Sequence, residues 1–277
     1  MRLFCSSCLL LSCLIYFPAC RQTDPAFGFH PDSSKVYLIT WAQVTDSTRI
    51  ENITMQLRLI QTMDSLYRLK LTFVDFKKKA PTMSFVLNGK SIPDLWQYQL
   101  GFLKGLSLDV WMNKKGEVIK MGGFDALADS VAALSGEDRR ELAYSLREDA
   151  GEEIMRDRLT RLFSFVPGRR KETGQNWVID QMLLRGAPVM NSNMYKMVRL
   201  KDDTATITVS GFVSARQGEQ GRTYMKGKLA GWLMAVYSTG IPCHYSAKTE
   251  TVLTNSDGRE RSSLQTTEVS VQTCPQP

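Results

Sequence analysis

The stretch SLYRLKLTFVDF, Ser65 to Phe76, alternates apolar and polar residues with a period of two. Leu69, Leu71 and Phe73 fall on one face and Arg68, Lys70 and Thr72 on the other. That alternation belongs to an antiparallel strand with one face on a core and one in water. The same pattern recurs at KVYLITWAQ (35–43), NITMQLRLIQ (52–61), LSLDVWM (106–112) and EVIKM (117–121). It returns after residue 175 in NWVIDQML (176–183), MYKMVRL (194–200), TATITVSGFV (204–213), RTYMKGKLAGWLMAVYS (222–238), HYSAKTETVLT (244–254) and RSSLQTTEVSVQT (261–273). Turn chemistry separates the runs: Asp46-Ser47, Asp64-Ser65, Asn113 to Gly116, Lys201-Asp202-Asp203, and Asn255 to Gly258.

Helical periodicity is confined to the middle of the chain. Leu127, Val131 and Leu134 make one stripe; Leu142, Leu146, Ile154, Leu159 and Leu162 continue another, with Ser135 and Asp138 as a capping box, Gly151 as a break and Val166-Pro167-Gly168 as the stop. The expected fold is therefore α+β and mostly antiparallel. Twisted sheets form a partial barrel or sandwich around a helical segment at about 124–165. Gly105 to Val110 before Gly116 echoes Gly231 to Val236 before Gly240, so a duplicated β unit is a second architecture to test.

The N-terminus carries a different message. Arg2, the apolar run Leu9 to Phe17, and Ala19 before Cys20 have the layout of a secretory signal over 1–19. The run is too short to span a bilayer. Ala19-Cys20 resembles the lipobox of bacterial lipoproteins, which implies cleavage before Cys20 and a diacylated cysteine at that position. Acyl chains anchor a protein to a membrane rather than thread it through. Arg21 stands where inner-membrane lipoproteins carry Asp, so the resemblance implies the outer membrane; no acidic cluster of the kind some phyla use for surface display follows Cys20, which favours the periplasmic face. Residues 20–34 then read as a lipidated tether, and 35–277 as the periplasmic β-rich domain.

The mature chain also resembles a family of uncharacterised Gram-negative, Bacteroidota-type envelope lipoproteins of unknown function. Leu106, Leu108, Asp109, Gly116, Val118, Pro167, Gly168, Gly174 and Trp177 carry that likeness. It implies location and fold, and no activity.

Composition excludes more than it proposes. The formal charge is +7, yet no stretch joins dense Lys/Arg to interleaved aromatics, so nucleic acid is not an expected partner. The two histidines, His30 and His244, lie far apart. A metal site and a catalytic triad lack parts, and no cofactor motif is present. Four of six cysteines lie at or before position 20, leaving Cys243 and Cys274 as a candidate disulfide. A turn at 255–258 sets Cys243 against residues 270–272, which offsets Cys274 from it. Ser47, Ser65, Ser130 and Thr204 each follow Asp and precede a residue that fits the O-glycosylation form of one Gram-negative phylum. Trp41, Trp96, Trp111, Trp177 and Trp232 are candidates for packing or for lining a site.

The function expected is a non-enzymatic, membrane-anchored lipoprotein that binds an apolar ligand or an envelope partner protein. The alternative is a hydrolase of cell-wall or glycan polymers working through paired carboxylates. Mass analysis of the protein taken from its native membrane tests the anchor. The expected N-terminus is an acylated Cys20; an unmodified residue there overturns it.

Overall fold

In the computed structural model the described residues are 27–47, 49–79, 85–87, 90–92, 103–135, 151–184, 188–217, 223–255 and 257–275. Thirteen strands and two helices are found among them. The first part runs β1 (Lys35–Thr45), β2 (Arg49–Thr62), β3 (Leu66–Lys79), β4 (Phe85–Leu87), β5 (Lys90–Ile92), β6 (Ser107–Asn113) and β7 (Val118–Gly122). Helices α1 (Phe124–Ser135) and α2 (Glu152–Phe163) follow. The chain returns as β8 (Asn176–Leu184), β9 (Pro188–Lys201), β10 (Thr204–Gln217), β11 (Thr223–Val236), β12 (Ile241–Thr254) and β13 (Glu260–Pro275).

Eleven strands form one antiparallel sheet in the order β7-β6-β3-β2-β1-β13-β12-β11-β10-β9-β8, and β4 with β5 make a separate hairpin. The first strand sits in the middle, between β2 and the last strand β13. The helical segment carries the chain from the β7 edge to the β8 edge, and the last six strands meander back. Helix α2 touches β7, β8 and β12, two opposite edges and the interior of one sheet. Only a sheet curled around the helix allows that, so the sheet is an open half-barrel with α2 on its concave side. A duplicated β unit is not what the topology holds. The β1–β13 ladder fuses the halves, and the echo strands β6 and β11 occupy non-equivalent places in the order.

The alternation read from sequence sorts the faces. Leu69, Leu71 and Phe73 on β3, and Ala205, Ile207 and Val209 on β10, are buried in one concave core. Arg68 and Thr72 turn outward, where Arg68 meets Asp109 at 3.0 Å and Thr72 meets Ser107 at 2.8 Å. These outer pairs are half exposed and contribute little.

Two features close the concave side. Phe27 and Phe29 are fully buried, so this part of the segment read from sequence as tether packs with the domain. Spaced by two in extended chain, both rings face inward. Phe27 stacks on Tyr237 at 4.8 Å and meets Phe165 edge-on at 5.8 Å. The Phe29 amide donates to Lys114 O at 2.9 Å and the His30 amide to Thr239 O at 2.8 Å. This strap therefore joins the β6–β7 turn to the β11–β12 turn. The second feature is Gly116, at φ 76°, where an added Cβ would overlap the carbonyl of Phe163 at the end of α2.

Gly116→Ala is expected to destabilise the domain by roughly 3 kcal/mol, combining left-handed strain with displacement of the helix end. Gly105, at φ 83° with nothing near its missing Cβ, serves as the control. Gly105→Ala should cost about 1 kcal/mol. Equal losses in denaturant unfolding would contradict the clasp. His30, hydrogen-bonded to Tyr67 at 2.9 Å, is held below its ordinary pKa of 6.5, by burial first and then by Lys114. Its unfolded form takes up a proton more readily, so its contribution is complete above pH 6.5 and is lost as pH falls below that value. In His30→Gln the fall in Tm from pH 7 to 5 should be shallower; an unchanged slope contradicts the assignment.

Candidate functional site

Helix α2 places charge as well as apolar surface on the concave face. Met155, Leu159, Leu162 and Phe163 are buried, and so are Asp157, Arg158 and Arg161's contact with it. Arg158 reaches Glu51 on β2 at 2.6 Å, and Arg161 holds Asp157 at 2.8 Å. Beside Arg161 lie Tyr195 and Tyr245. Burial raises both phenols, that of Tyr245 to about 12, and keeps them neutral. Both of these inward-facing acids thus serve arginines.

Beyond these tyrosines, toward the far ends of β8 and β9, the concave face changes character. Gln181 on β8 and Asn191 on β9 are register partners, and Asn193 lies two residues along. All three are buried: Asn191 is 1% exposed, Asn193 4% and Gln181 9%. Gln181 Nε2 donates to Ser164 Oγ at 2.7 Å. Its Oε1, both polar atoms of the Asn191 amide, and Asn193 Oδ1 have no hydrogen-bond partner. A buried polar atom left unmatched costs about 1–3 kcal/mol, so four in one band are a substantial local burden.

Past the amide band the face turns apolar again. Val189 and Val213, with Ala215 and Met225 against them, form a cluster separate from the main core. Glycines shape this end. An added Cβ at Gly211 would overlap Asn193 Oδ1, and at Gly227, opposite Val213, the backbone carbonyl of Glu250 on the next strand. Strand glycines of this kind let a sheet bend sharply and let a side chain lie over the backbone.

The convex face of the same strands is unusual too. Val178, Met182, Met190, Met194 and Phe212 are exposed, Phe212 at 66%. The register sets Val178 beside Met194 and Met182 beside Met190, which makes one patch rather than scattered residues. Elsewhere on this face Trp232 stacks on His244 at 4.8 Å, and His244 and Ser246 both reach Glu268, at 3.2 and 2.6 Å. Glu268 sits between serine and histidine, an order that cannot activate the serine.

Cys20 and Trp96 lie outside the described residues. Cys243 and Cys274 are separate thiols, not the disulfide considered from sequence. Ser270 stands opposite His244 and Cys274 opposite Val36, so the two cysteines are out of register. Ser47 and Ser65 are exposed in turns, and Thr204 opens β10. Ser130 is on α1 with its hydroxyl donated to Ala126 O at 2.7 Å. Trp177 packs inside, stacked on Tyr195 at 5.7 Å, its indole N–H donated to Phe165 O at 2.7 Å. Trp111 lies outside beneath Arg68 and Lys120. No group of three His, Cys, Asp or Glu suited to a metal ion occurs among the described residues. No helix there is long and apolar enough to cross a membrane.

The amide band was not legible as a site. The strand read from sequence begins at Met194, which leaves Asn191 and Asn193 outside it, whereas β9 begins at Pro188. The signal that does exist is period two: Val189, Asn191, Asn193, Tyr195 and Met197 share the inner face. Arg161→Met should destabilise the domain by about 3 kcal/mol, because it breaks a buried ion pair. Denaturant unfolding checks this, and a loss below about 1 kcal/mol would show that Asp157 is not held by Arg161.

Comparison with known proteins adds fold and family. Lipovitellin, in a structure concerned with its lipid–protein interactions, superposes with a TM-score of 0.53 at 10% identity, covering 89% of this chain and 26% of its own. This chain therefore spans about a quarter of lipovitellin, and the likeness is one of fold. A Bacteroides fragilis protein with a YmcC-like fold aligns over 89% of this chain and 99% of its own, at 8% identity and a TM-score of 0.27. No curated protein matches the sequence. A family model does, over residues 64–242, from the β2–β3 turn to the start of β12, and the chain belongs to that family of unknown function, DUF6263.

Proposed function

We propose that this protein is a non-enzymatic lipoprotein of the cell envelope, anchored through Cys20 to the outer membrane on its periplasmic side, whose half-barrel holds an apolar ligand. The observation that carries the reading is the concave end of β8–β11. A separate apolar cluster lies there beyond a band of unmatched amides. Mostly apolar walls with a few convergent polar groups are what small-molecule sites are made of. The fold shared with lipovitellin, a lipid-associated protein, supports an apolar occupant.

The test is purification from the native membrane in mild detergent, followed by solvent extraction and mass analysis. One apolar molecule per chain is expected. A protein that carries no lipid above the level of a control lipoprotein would count against the reading.

A second reading, docking of an envelope partner protein, rests on the convex patch. Methionine-rich exposed surfaces adapt to partners. Crosslinking in the native membrane from a photoreactive residue at Met182 should then trap one discrete adduct, which Phe212→Ser weakens. A smear of adducts unaffected by Phe212→Ser would dismiss this reading.

A further inference from the structure

We infer that Gln181, Asn191 and Asn193 form a head-group site for an amphiphile whose head is uncharged and supplies hydroxyl or amide hydrogen-bond donors. The inference rests on the ligand-binding reading above and specifies the ligand's chemistry.

Three facts support it. First, the unmatched atoms are Gln181 Oε1, Asn191 Oδ1 and Nδ2, and Asn193 Oδ1, so three acceptors and one donor are left over. A head that mostly donates fits that set. A carboxylate, which only accepts, does not. Second, the charges nearby are committed. Arg161 is paired with Asp157 at 2.8 Å, and Lys171 donates to Asn176 O at 3.0 Å over the Trp177 ring. An anionic head would therefore enter a buried band with no uncommitted cation facing it among the described residues, at high desolvation cost. Third, the apolar cluster of Val189, Val213, Ala215 and Met225 adjoins the amides, and Ala215 and Met225 remain partly exposed. A chain lying there brings its head to Asn191.

The convex position of Asp180 removes it from this band. Its register partner is Ser192, on the outer face, whereas Gln181 and Asn191 point inward. Tyr195 is the nearest titratable group on the inner face of β9, and burial keeps it neutral.

Displacement of the neutral fluorescent probe N-phenyl-1-naphthylamine from the purified, acylated protein tests the inference, using 1-monooleoylglycerol, N-oleoylethanolamide and oleate at pH 8. The two uncharged lipids are expected to displace the probe at concentrations at least tenfold below oleate. Asn191→Leu is expected to reduce that preference below threefold while oleate itself is unaffected, and Gln181→Leu to act in the same direction. Equal displacement by all three lipids overturns the head-group assignment and leaves the ligand-binding reading standing. So does a preference untouched by both leucine variants, which would mean that ordered water satisfies the amides. Failure of every lipid to displace the probe overturns both.

Discussion

An open sheet of eleven strands has one apolar face that water must not reach, and everything else in this molecule follows from covering it. The cover is the crossing from the β7 edge to the β8 edge. Helix α2 lies along the concave side, and the Phe27–His30 strap ties the β6–β7 turn to the β11–β12 turn. Four of the residues that carry the likeness read from sequence lie at these joints. Gly116 admits the end of α2, Gly168 donates to Phe27 O at 3.0 Å, Gly174 donates to Met197 O at 2.7 Å, and Trp177 holds Phe165 O at 2.7 Å. Their common role is to fasten the helical layer to both edges of the sheet.

The same constraint explains why the far end of the concave face is free to differ. Over β1 to β3 and β6 the core is continuous aliphatic and aromatic packing. Near β8–β10 it gives way to amides that find no partners, then to a small detached apolar cluster. Folding alone gains nothing from four unmatched polar atoms. Leucine would fill the same inward positions at lower cost, as it does at Leu229 and Leu233 on β11. Local burdens of this kind gather at functional sites.

Much of the fold is legible in the sequence because it rests on period two, and the strand faces of SLYRLKLTFVDF and TATITVS came out as the alternation required. Global features were less accessible. The pairing of β1 with β13 joins segments more than two hundred residues apart, and no local pattern encodes it. Phe27 and Phe29 lie between Pro25 and Pro31, where proline suggests an uncommitted linker, yet two aromatics spaced by two are a buried extended segment. The disulfide failed on register, a quantity that the 255–258 turn already constrained. Least legible was the candidate site itself. Its asparagines look like turn residues until the inner-face partners Val189, Tyr195 and Met197 are placed beside them.

The most direct measurement is a crystal structure of the protein with a monoacylglycerol brominated in mid-chain, read by its anomalous scattering. A single bromine site against Val189 and Val213, with the glycerol hydroxyls on Asn191, is the result predicted. Bromine seated only against Met182 and Phe212 on the convex face, or no ordered bromine at all, would contradict the claim that the concave end of this half-barrel receives a lipid.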